Sequence, residues 1–257
     1  MVPPPPLAIS LAGLERRDDA PWAAGPRAAI DWAAAAGFGA VQLDATAPGL
    51  RPRELDRSAR RDLGALLRRA GLSLAGLGLW IPLEHLTDAS RAERALEAIL
   101  QAVELAADLA RLGAGQPGPA ISCVLPKGIP ADIVAQLADA AGRTGVRIAD
   151  HAVPLTSAAE VSATNGGLDL GIDPAAILLA GLDPAVAAAR AGPRLASARW
   201  SDASLTGRIA PGSESGRLDL TAYLVSLTVA GYSRAVILDL RGIHDQASAA
   251  PDCLARW

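Results

Sequence analysis

Four short segments of the sequence place an aspartate where a strand of a sheet is expected to end. They are IADHA with Asp150, LGIDPA with Asp173, ARWSDA with Asp202 and ILDLRG with Asp239. Carboxylates at the C-terminal ends of successive parallel strands form metal sites or acid/base pairs in barrel enzymes. Because hard cations accept ligation by oxygen alone, we expect any bound divalent metal (Mn, Mg or Co) to be held by Asp150, Asp173 and Asp239.

Strand alternation indicates which aspartates could act on a substrate. Alternate residues of a strand face the same side, so Ile148 and Asp150 share one face, and Ile237 and Asp239 share a face of another strand. His151 then lies on the opposite face from Asp150. We therefore expect Asp150 and Asp239 to point into the site as the catalytic pair, exchanging a proton at the carbon next to a carbonyl group.

Arg199, in the third of these segments, favours a different use of the same carboxylates. A guanidinium group stays protonated and cannot donate a lone pair to a metal, so among carboxylates it supplies the positive charge that a metal would supply. The predicted alternative to a metal site is a set of ion pairs between Arg199 and the aspartates. Such ion pairs would be structural, or they would bind an anionic or polyhydroxy ligand.

Several further residues are candidates for contact with a ligand. Trp80 and His85 lie in WIPLEHL, in the loop expected after the third strand, where Trp80 could form an apolar wall for a sugar ring. His151, Arg199 and Arg241 complete the predicted substrate-binding set. The glycine-rich stretch APGSESGRLD (210–219) is either a phosphate-binding loop or a turn before a helix.

The elements that would position these residues follow a repeated pattern. Short apolar runs alternate with segments of helical period, as in βα units around a parallel sheet. The connection from Ala152 to Gly167 has little helical period. The predicted strands cover residues 7–12, 39–44, 72–80, 120–125, 146–151, 168–173, 195–200 and 235–240.

Helix signals lie between the strands. Pro130 is placed to open a helix in which Ile133, Val134 and Leu137 share a face, and Gly145 is placed just beyond its end. Eight strands with intervening helices in 257 residues predict a single α/β domain over residues 1–257, a (β/α)₈ TIM barrel after the proline-rich segment 1–6.

Composition narrows the classes of partner. The formal net charge is −3, which gives no general reason to bind nucleic acid or an anionic membrane. No signal segment or transmembrane span is indicated, and two distant cysteines do not suggest a disulfide scaffold. We expect a cytoplasmic protein whose partner is a small-molecule carbohydrate, and a homodimer is possible.

The sequence also resembles the sugar isomerase and epimerase group with a xylose-isomerase-like barrel. The resemblance runs in order through AAAAGFGAVQLD (33–44), WIPLEHLTDASRAERAL (80–96), LGIDPAAIL (170–178), RWSDASLTGRIAPGSESGRLD (199–219) and GYSRAVILDLRG (231–242). It implies a divalent metal held by glutamate, aspartate, histidine and glutamate at the ends of strands five to eight, with the two glutamates as acid and base.

This chain departs from that implied pattern at most positions. The fifth and eighth strands offer Asp150 and Asp239 in place of the glutamates, and the histidine position holds Arg199. Only Asp173 and Asp202 match outright, and Gln42 stands where the second strand often has glutamate. Two hypotheses follow: a sugar, sugar-phosphate or polyol isomerase or epimerase with a degenerate metal site, or an inactive barrel that binds carbohydrate or another protein.

Overall fold

A computed structural model describes residues 4–152 and 168–257, apart from the side chains of residues 116 and 117. Eight parallel strands form a closed barrel in the order β1-β10-β7-β6-β5-β4-β3-β2, with β1 also paired to β2. The barrel strands are β1 (Leu7–Ser10), β2 (Ala40–Asp44), β3 (Ser73–Gly78), β4 (Gly115–Cys123), β5 (Arg147–Asp150), β6 (Asp169–Ile172), β7 (Leu195–Trp200) and β10 (Val236–Leu238). The predicted barrel is thus confirmed, since each predicted strand overlaps one observed strand.

Helices surround the barrel, and a small antiparallel pair of strands follows β7. That pair is β8 (Asp202–Ala203) and β9 (Arg208–Ile209). The α-helices of the described residues are α1 (Pro26–Ala35), α2 (Arg57–Arg69), α3 (Ala92–Arg111), α4 (Ala131–Thr144), α5 (Pro174–Leu179), α6 (Pro184–Ala191), α7 (Leu220–Val229) and α8 (Gln246–Arg256). Short 3₁₀ helices cover Pro52–Glu54, Leu83–Leu86 and Gly192–Arg194.

The fourth helix shows how local sequence sets an element's bounds. Pro130 stands at the N-cap of α4, and Gly145 ends the helix in the left-handed conformation with φ 72°, where glycine carries no steric cost. The amide of Gly145 donates to the Ala141 carbonyl. Ile133, Val134 and Leu137 are buried as predicted, and they hold α4 against the barrel.

Polar side chains cross the middle of the barrel. The Ser10 hydroxyl donates to Gln42 Oε1 over 2.8 Å, and Gln42 Nε2 donates to Ser122 Oγ over 3.0 Å. Ser122 and Ser197 then share a 2.9 Å hydrogen bond, although their strands β4 and β7 are not neighbours in the barrel. This contact therefore identifies the interior face of both strands.

The described residues 4–152 and 168–257 contain no helix that is long and apolar enough to cross a membrane. The predicted irregular connection before Gly167 lies largely outside the described residues.

Candidate functional site

Arginine and aspartate side chains meet at the mouth of the barrel, at the C-terminal ends of β6, β7 and β10. Arg199 is two residues after Ser197 on β7, so it shares the interior face and points to the same side as the Ser122 contact. Asp173 follows β6 at the N-cap position of α5, and Asp239 follows β10 directly. The topology thus brings residues that are up to 66 positions apart in sequence to one place.

Asp239 is the most heavily paired carboxylate of this mouth cluster. Its Oδ2 accepts from Arg199 Nη1 over 2.8 Å and from Arg241 Nη2 over 2.5 Å. Arg208 Nη2 lies 3.3 Å from the same oxygen. Since the side chains of Arg199 and Asp239 are each only 1% exposed, this is a buried ion network rather than a surface pair.

Asp173 shares all three of these arginines, of which Arg241 is the most distant, with Nη2 3.7 Å from the Asp173 carboxylate. Its Oδ2 accepts from Arg208 Nη1 over 3.0 Å and lies 3.5 Å from Arg199 Nη1, while Oδ1 accepts from Ser201 Oγ over 2.6 Å. Ser201 Oγ in turn accepts from the Ala175 amide in the first turn of α5. The aspartate that best matches the resemblance is therefore held by arginines and a hydroxyl group.

The electrostatics of the cluster follow from this pairing. Burial disfavours ionised Asp239, but the attraction of Arg199 and the hydrogen bond from Arg241 outweigh burial and lower its pKa below the usual range. The pKa of Asp173 is lowered in the same way, with Arg199 and Arg208 outweighing its burial. Both carboxylates therefore stay ionised near neutral pH and are weak bases.

The structure brings together Arg199 and Arg241, both predicted to bind substrate, and adds Arg208, which the sequence analysis missed. Arg208 lies on β9, outside the barrel, and the chain turns back after β8 to bring it over the mouth. Its guanidinium also donates through Nε to the Arg241 carbonyl over 3.2 Å. No periodicity in a two-residue strand signals such a position, and only the antiparallel pairing reveals it.

Trp80, which follows β3, packs against the arginines of the mouth. The guanidinium carbon of Arg241 lies 3.9 Å from the centre of the Trp80 ring, and that of Arg199 lies 4.8 Å away. Both are cation–π distances. The predicted aromatic wall therefore contacts the arginine side chains of the cluster.

His151 also reaches the interior, which corrects the prediction about β5. A Cβ atom on Gly171 would lie 2.3 Å from the His151 ring, so the ring occupies the space above that glycine on the neighbouring strand. Neither ring nitrogen has a hydrogen-bond partner among the residues that the structure describes, and the side chain is buried. Burial, and next the positive charge of Arg199, lower the pKa of His151 well below its usual value, so the imidazole is neutral.

Asp150 lies on the other face of β5, so the prediction that it points into the mouth with Asp239 is wrong. It is paired in register with Cys123, which packs in the main hydrophobic core together with Ile148. Asp150 Oδ1 accepts from the Leu125 amide over 3.0 Å and the Ala152 amide over 2.9 Å. Strand alternation correctly predicted which residues share a face of each strand. It does not determine which of the two faces points into the barrel.

The predicted three-aspartate metal site does not fit this arrangement. Among residues 4–152 and 168–257, no group of three or more histidine, cysteine, aspartate or glutamate side chains is placed to hold a metal ion. Asp150 faces away from the mouth, while the oxygens of Asp173 and Asp239 accept from guanidinium groups. Arginine cannot act as a ligand because it has no free lone pair.

The glycine-rich loop after β9 binds a carboxylate of its own chain. Asp202 Oδ1 accepts from the amides of Arg217 and Leu218, each over 3.0 Å, and from Ala203 over 2.7 Å. A Cβ atom on Gly216 would lie 2.2 Å from Asp202 Oδ2. The Arg217 and Leu218 amides are therefore occupied by Asp202, and the Ser213 and Gly216 amides donate to carbonyls within the loop, which favours the turn interpretation of residues 210–219.

His85 lies away from the arginine cluster. It is on the 3₁₀ helix Leu83–Leu86 and lines a separate cavity, which Trp80 borders as well. Trp80 and His85, the two residues predicted to contact a ligand from the loop after β3, therefore line the same cavity. Of the two, only Trp80 also contacts the arginines of the mouth.

Comparison with protein families identifies a family model that matches most of the chain. The model described as xylose isomerase-like TIM barrel matches residues 30–257. A comparison with curated proteins found no match.

Solved structures of the same fold are similar to this chain despite low sequence identity. One is the probable 3-DHS dehydratase involved in petrobactin synthesis from Bacillus anthracis, with TM-score 0.62, 12% identity and 96% of both chains covered. Another is a xylose isomerase domain containing protein from Salmonella typhimurium, with TM-score 0.62, 12% identity, and 97% of this chain and 94% of that chain covered. At this identity the likeness concerns the fold.

Proposed function

Because this chain belongs to the xylose isomerase-like TIM barrel family, we propose that its barrel mouth binds a small carbohydrate that carries a carboxylate group, such as a sugar acid. The carboxylate would pair with the arginines of the mouth cluster, and the sugar ring would lie against Trp80. The members of this family include sugar isomerases and epimerases as well as dehydratase-like proteins. A sugar acid is a carbohydrate and so belongs to the class of ligand that sugar isomerases and epimerases bind.

The charge balance of the mouth cluster supports this proposal. Within the described residues 4–152 and 168–257, three guanidinium groups, from Arg199, Arg208 and Arg241, are paired with two carboxylates, so one positive charge is left over there. Arg199 Nε is buried and has no hydrogen-bond acceptor among these described residues, and Arg208 Nη2 has only the 3.3 Å ion-pair contact with Asp239. A buried charge without a partner is costly, and a ligand carboxylate would supply both the missing charge and the missing acceptors.

The pKa of Arg199 supports the same conclusion. Burial and repulsion from Arg241 lower this pKa, even though Asp239 attracts the charge. The positive form of Arg199 is therefore not fully compensated by the protein. A guanidinium group matches a carboxylate through two parallel hydrogen bonds, which would distinguish a sugar acid from a neutral sugar.

Thermal unfolding and calorimetry with matched ligand pairs test the proposal. We expect a sugar acid such as glucuronate to raise the melting temperature, by about 5–10 °C at a concentration 100 times its Kd. Glucose, which lacks the carboxylate, should have no effect, and neither should Mn²⁺, Mg²⁺ or Co²⁺. Arg208→Gln should abolish the shift, whereas the exposed control Arg17→Gln should keep it.

Two results would contradict the proposal. One is stabilisation by a micromolar divalent metal, which would require ligands that the arginines leave no room for. The other is equal stabilisation by acids and by their neutral counterparts across a panel of sugar acids, since the surplus charge would then have no role in binding.

His151 supports a second candidate function, that of an isomerase acting by proton transfer next to a carbonyl. Within the described residues 4–152 and 168–257, the His151 ring nitrogens form no hydrogen bond and are open to a substrate proton, whereas the oxygens of Asp173 and Asp239 accept from arginines. The C–H bond next to the carbonyl would break as His151 takes the proton, and Arg199 would stabilise the negative oxygen of the enediolate. His151 then returns the proton to the former carbonyl carbon, while the hydroxyl proton moves to the former carbonyl oxygen and the new carbonyl forms at the carbon that lost its hydrogen. One base at carbon suffices for this exchange, so an isomerase fits better than an epimerase with two bases.

Exchange of substrate protons in D₂O separates this candidate from a barrel that only binds. With a ligand that stabilises the protein, we expect the signal of the proton next to the carbonyl to fade in NMR spectra. His151→Gln should stop the exchange while leaving the thermal shift intact. Exchange that continues in that variant would exclude His151 as the base, and binding without any exchange would favour the carbohydrate-binding protein.

A further inference from the structure

A cavity of about 490 Å³ lies on the other side of Trp80 from the arginines of the mouth and takes no part in the function proposed above. It is enclosed by the loop after β2, the segment after β3 and the exposed side of α3. Trp80 separates it from the mouth, since this side chain lines the cavity and also contacts Arg241. The cavity is large enough for a small organic molecule.

The floor of this cavity is apolar. Leu79 and Ala95 are buried there, and Ile81 and Ala98 are half-buried. Ala98 lies on α3 one turn after Arg94, so a small side chain leaves space under the rim. An apolar or ring-shaped body would remove this surface from water.

The rim of the cavity is cationic, with four arginines and no carboxylate among the lining residues. Arg51 is paired with Glu54 over 3.2 Å, and Arg91 lies 3.5 Å from Asp88. Arg53 and Arg94 form no ion pair with any residue in the ranges 4–152 and 168–257. These two guanidinium groups therefore line the cavity outside any ion pair in those ranges, although the charge of Glu54 lies near Arg53.

We propose that this cavity binds a phosphate monoester whose organic part is apolar or aromatic. A phosphate monoester carries a charge of about −1.5 to −2 at pH 7, which matches the two unpaired guanidinium groups of Arg53 and Arg94. The phosphate oxygens accept from these arginines at the rim, and the organic part packs on Leu79 and Ile81. The phosphate group contacts only the arginines of the rim, and the organic part contacts only the apolar floor. Tight binding therefore requires both parts of the ligand.

Isothermal titration with phenyl phosphate tests this site on the full chain. We expect phenyl phosphate to bind at least about tenfold more tightly than inorganic phosphate, phenol or benzoate, because each lacks one of the required parts. The double variant Arg53→Gln/Arg94→Gln should weaken binding by at least about tenfold. Arg27→Gln, an exposed arginine on α1 that does not line the cavity, is the matched control and should leave the Kd unchanged.

A steric variant tests the apolar floor separately. Ala98→Phe fills the space beneath the rim and should block phenyl phosphate while leaving the thermal stability close to that of the unaltered protein, because Ala98 is only half-buried. Phenol binding as tightly as phenyl phosphate would overturn the cationic part of the proposal. Benzoate binding as tightly would overturn the assignment to phosphate.

Arg208→Gln distinguishes this cavity from the mouth. We expect it to remove sugar-acid stabilisation and to leave the Kd for phenyl phosphate unchanged, because Arg208 does not line the cavity. If Arg208→Gln abolishes phenyl phosphate binding and the Arg53→Gln/Arg94→Gln variant does not, the anion binds in the mouth and the second site is refuted. The two proposals can therefore fail independently.

Discussion

Replacement of Asp239 by asparagine is expected to lower the free energy of unfolding by about 3 kcal/mol. Asparagine keeps the shape and one acceptor oxygen of the side chain but removes its charge. Three arginines would then face the single carboxylate of Asp173. Because the Asp239 side chain is 1% exposed, water cannot replace the lost charge at that position.

The magnitude follows from how the partners of Asp239 are buried. Removal of one member of a buried ion pair costs about 3–5 kcal/mol, because the remaining charge stays out of water. Arg199 is 1% exposed, but Arg208 and Arg241 are 22% and 24% exposed and can recover some hydration. We therefore place the cost at the lower end of that range.

Urea unfolding followed by tryptophan fluorescence and circular dichroism measures this cost. The matched control is Asp19→Asn, because Asp19 also pairs with an arginine but its side chain is 71% exposed; its midpoint should not move. Sulfate or a sugar acid should partly restore Asp239→Asn, since its mouth holds two surplus positive charges. A loss below about 1 kcal/mol in Asp239→Asn, without such rescue, would refute the buried ion network.

The pH dependence gives an independent check of the same cluster. The pKa of Asp239 in the folded protein lies below its unfolded value of about 3.9. Its contribution is therefore fully present above the unfolded pKa and is lost as the pH falls through the folded pKa. The stability difference between the unaltered protein and Asp239→Asn should be constant from pH 7 to pH 5; a difference that shrinks over this interval would contradict the lowered pKa.

Gly171→Ala should displace the His151 ring, because the added Cβ would lie 2.3 Å from it. We expect a lower melting temperature and a shifted imidazole signal in NMR spectra. An unchanged imidazole signal would show that the His151 ring does not lie above Gly171. Asp202→Ala should cost about 2–4 kcal/mol, because the Arg217 and Leu218 amides lose a charged acceptor. Asp202→Asn keeps an acceptor oxygen and should cost less, as measured by urea unfolding and by proteolysis within residues 210–219. Equal losses in the two Asp202 variants would show that these hydrogen bonds are not what holds the loop.

Local sequence was sufficient to predict the strands and most of the helix pattern. Apolar runs of strand length separated by amphipathic segments specify a βα repeat because burial and period are local properties. The bounds of α4 follow from Pro130 and Gly145, whose backbone preferences act within a few residues. The length of β4 was not predicted correctly, since the strand begins at Gly115, five residues before the predicted start.

The residues of the site could be predicted only in part from the sequence. The grouping of Asp173, Arg199 and Asp239 could be predicted because the C-terminal ends of parallel strands meet at one mouth. The face of β5 that points into the barrel could not be predicted. Alternation allows either face of a strand to be the interior one, and only closure of the barrel selects between them. It selects His151 and places Asp150 against the core, so the predicted catalytic pair is separated.

What the sequence determined by itself was the order of the elements and the presence of charged residues at the strand ends. Only the tertiary structure decided which charges meet. Arg208 reaches Asp173 through the β8–β9 turn, a contact across 35 positions, and Arg241 turns back onto Asp239 beneath Trp80. Coulomb energy and burial depend on distance in space and on access to water, so a mouth that looks acidic along the chain becomes a cationic site once the barrel closes.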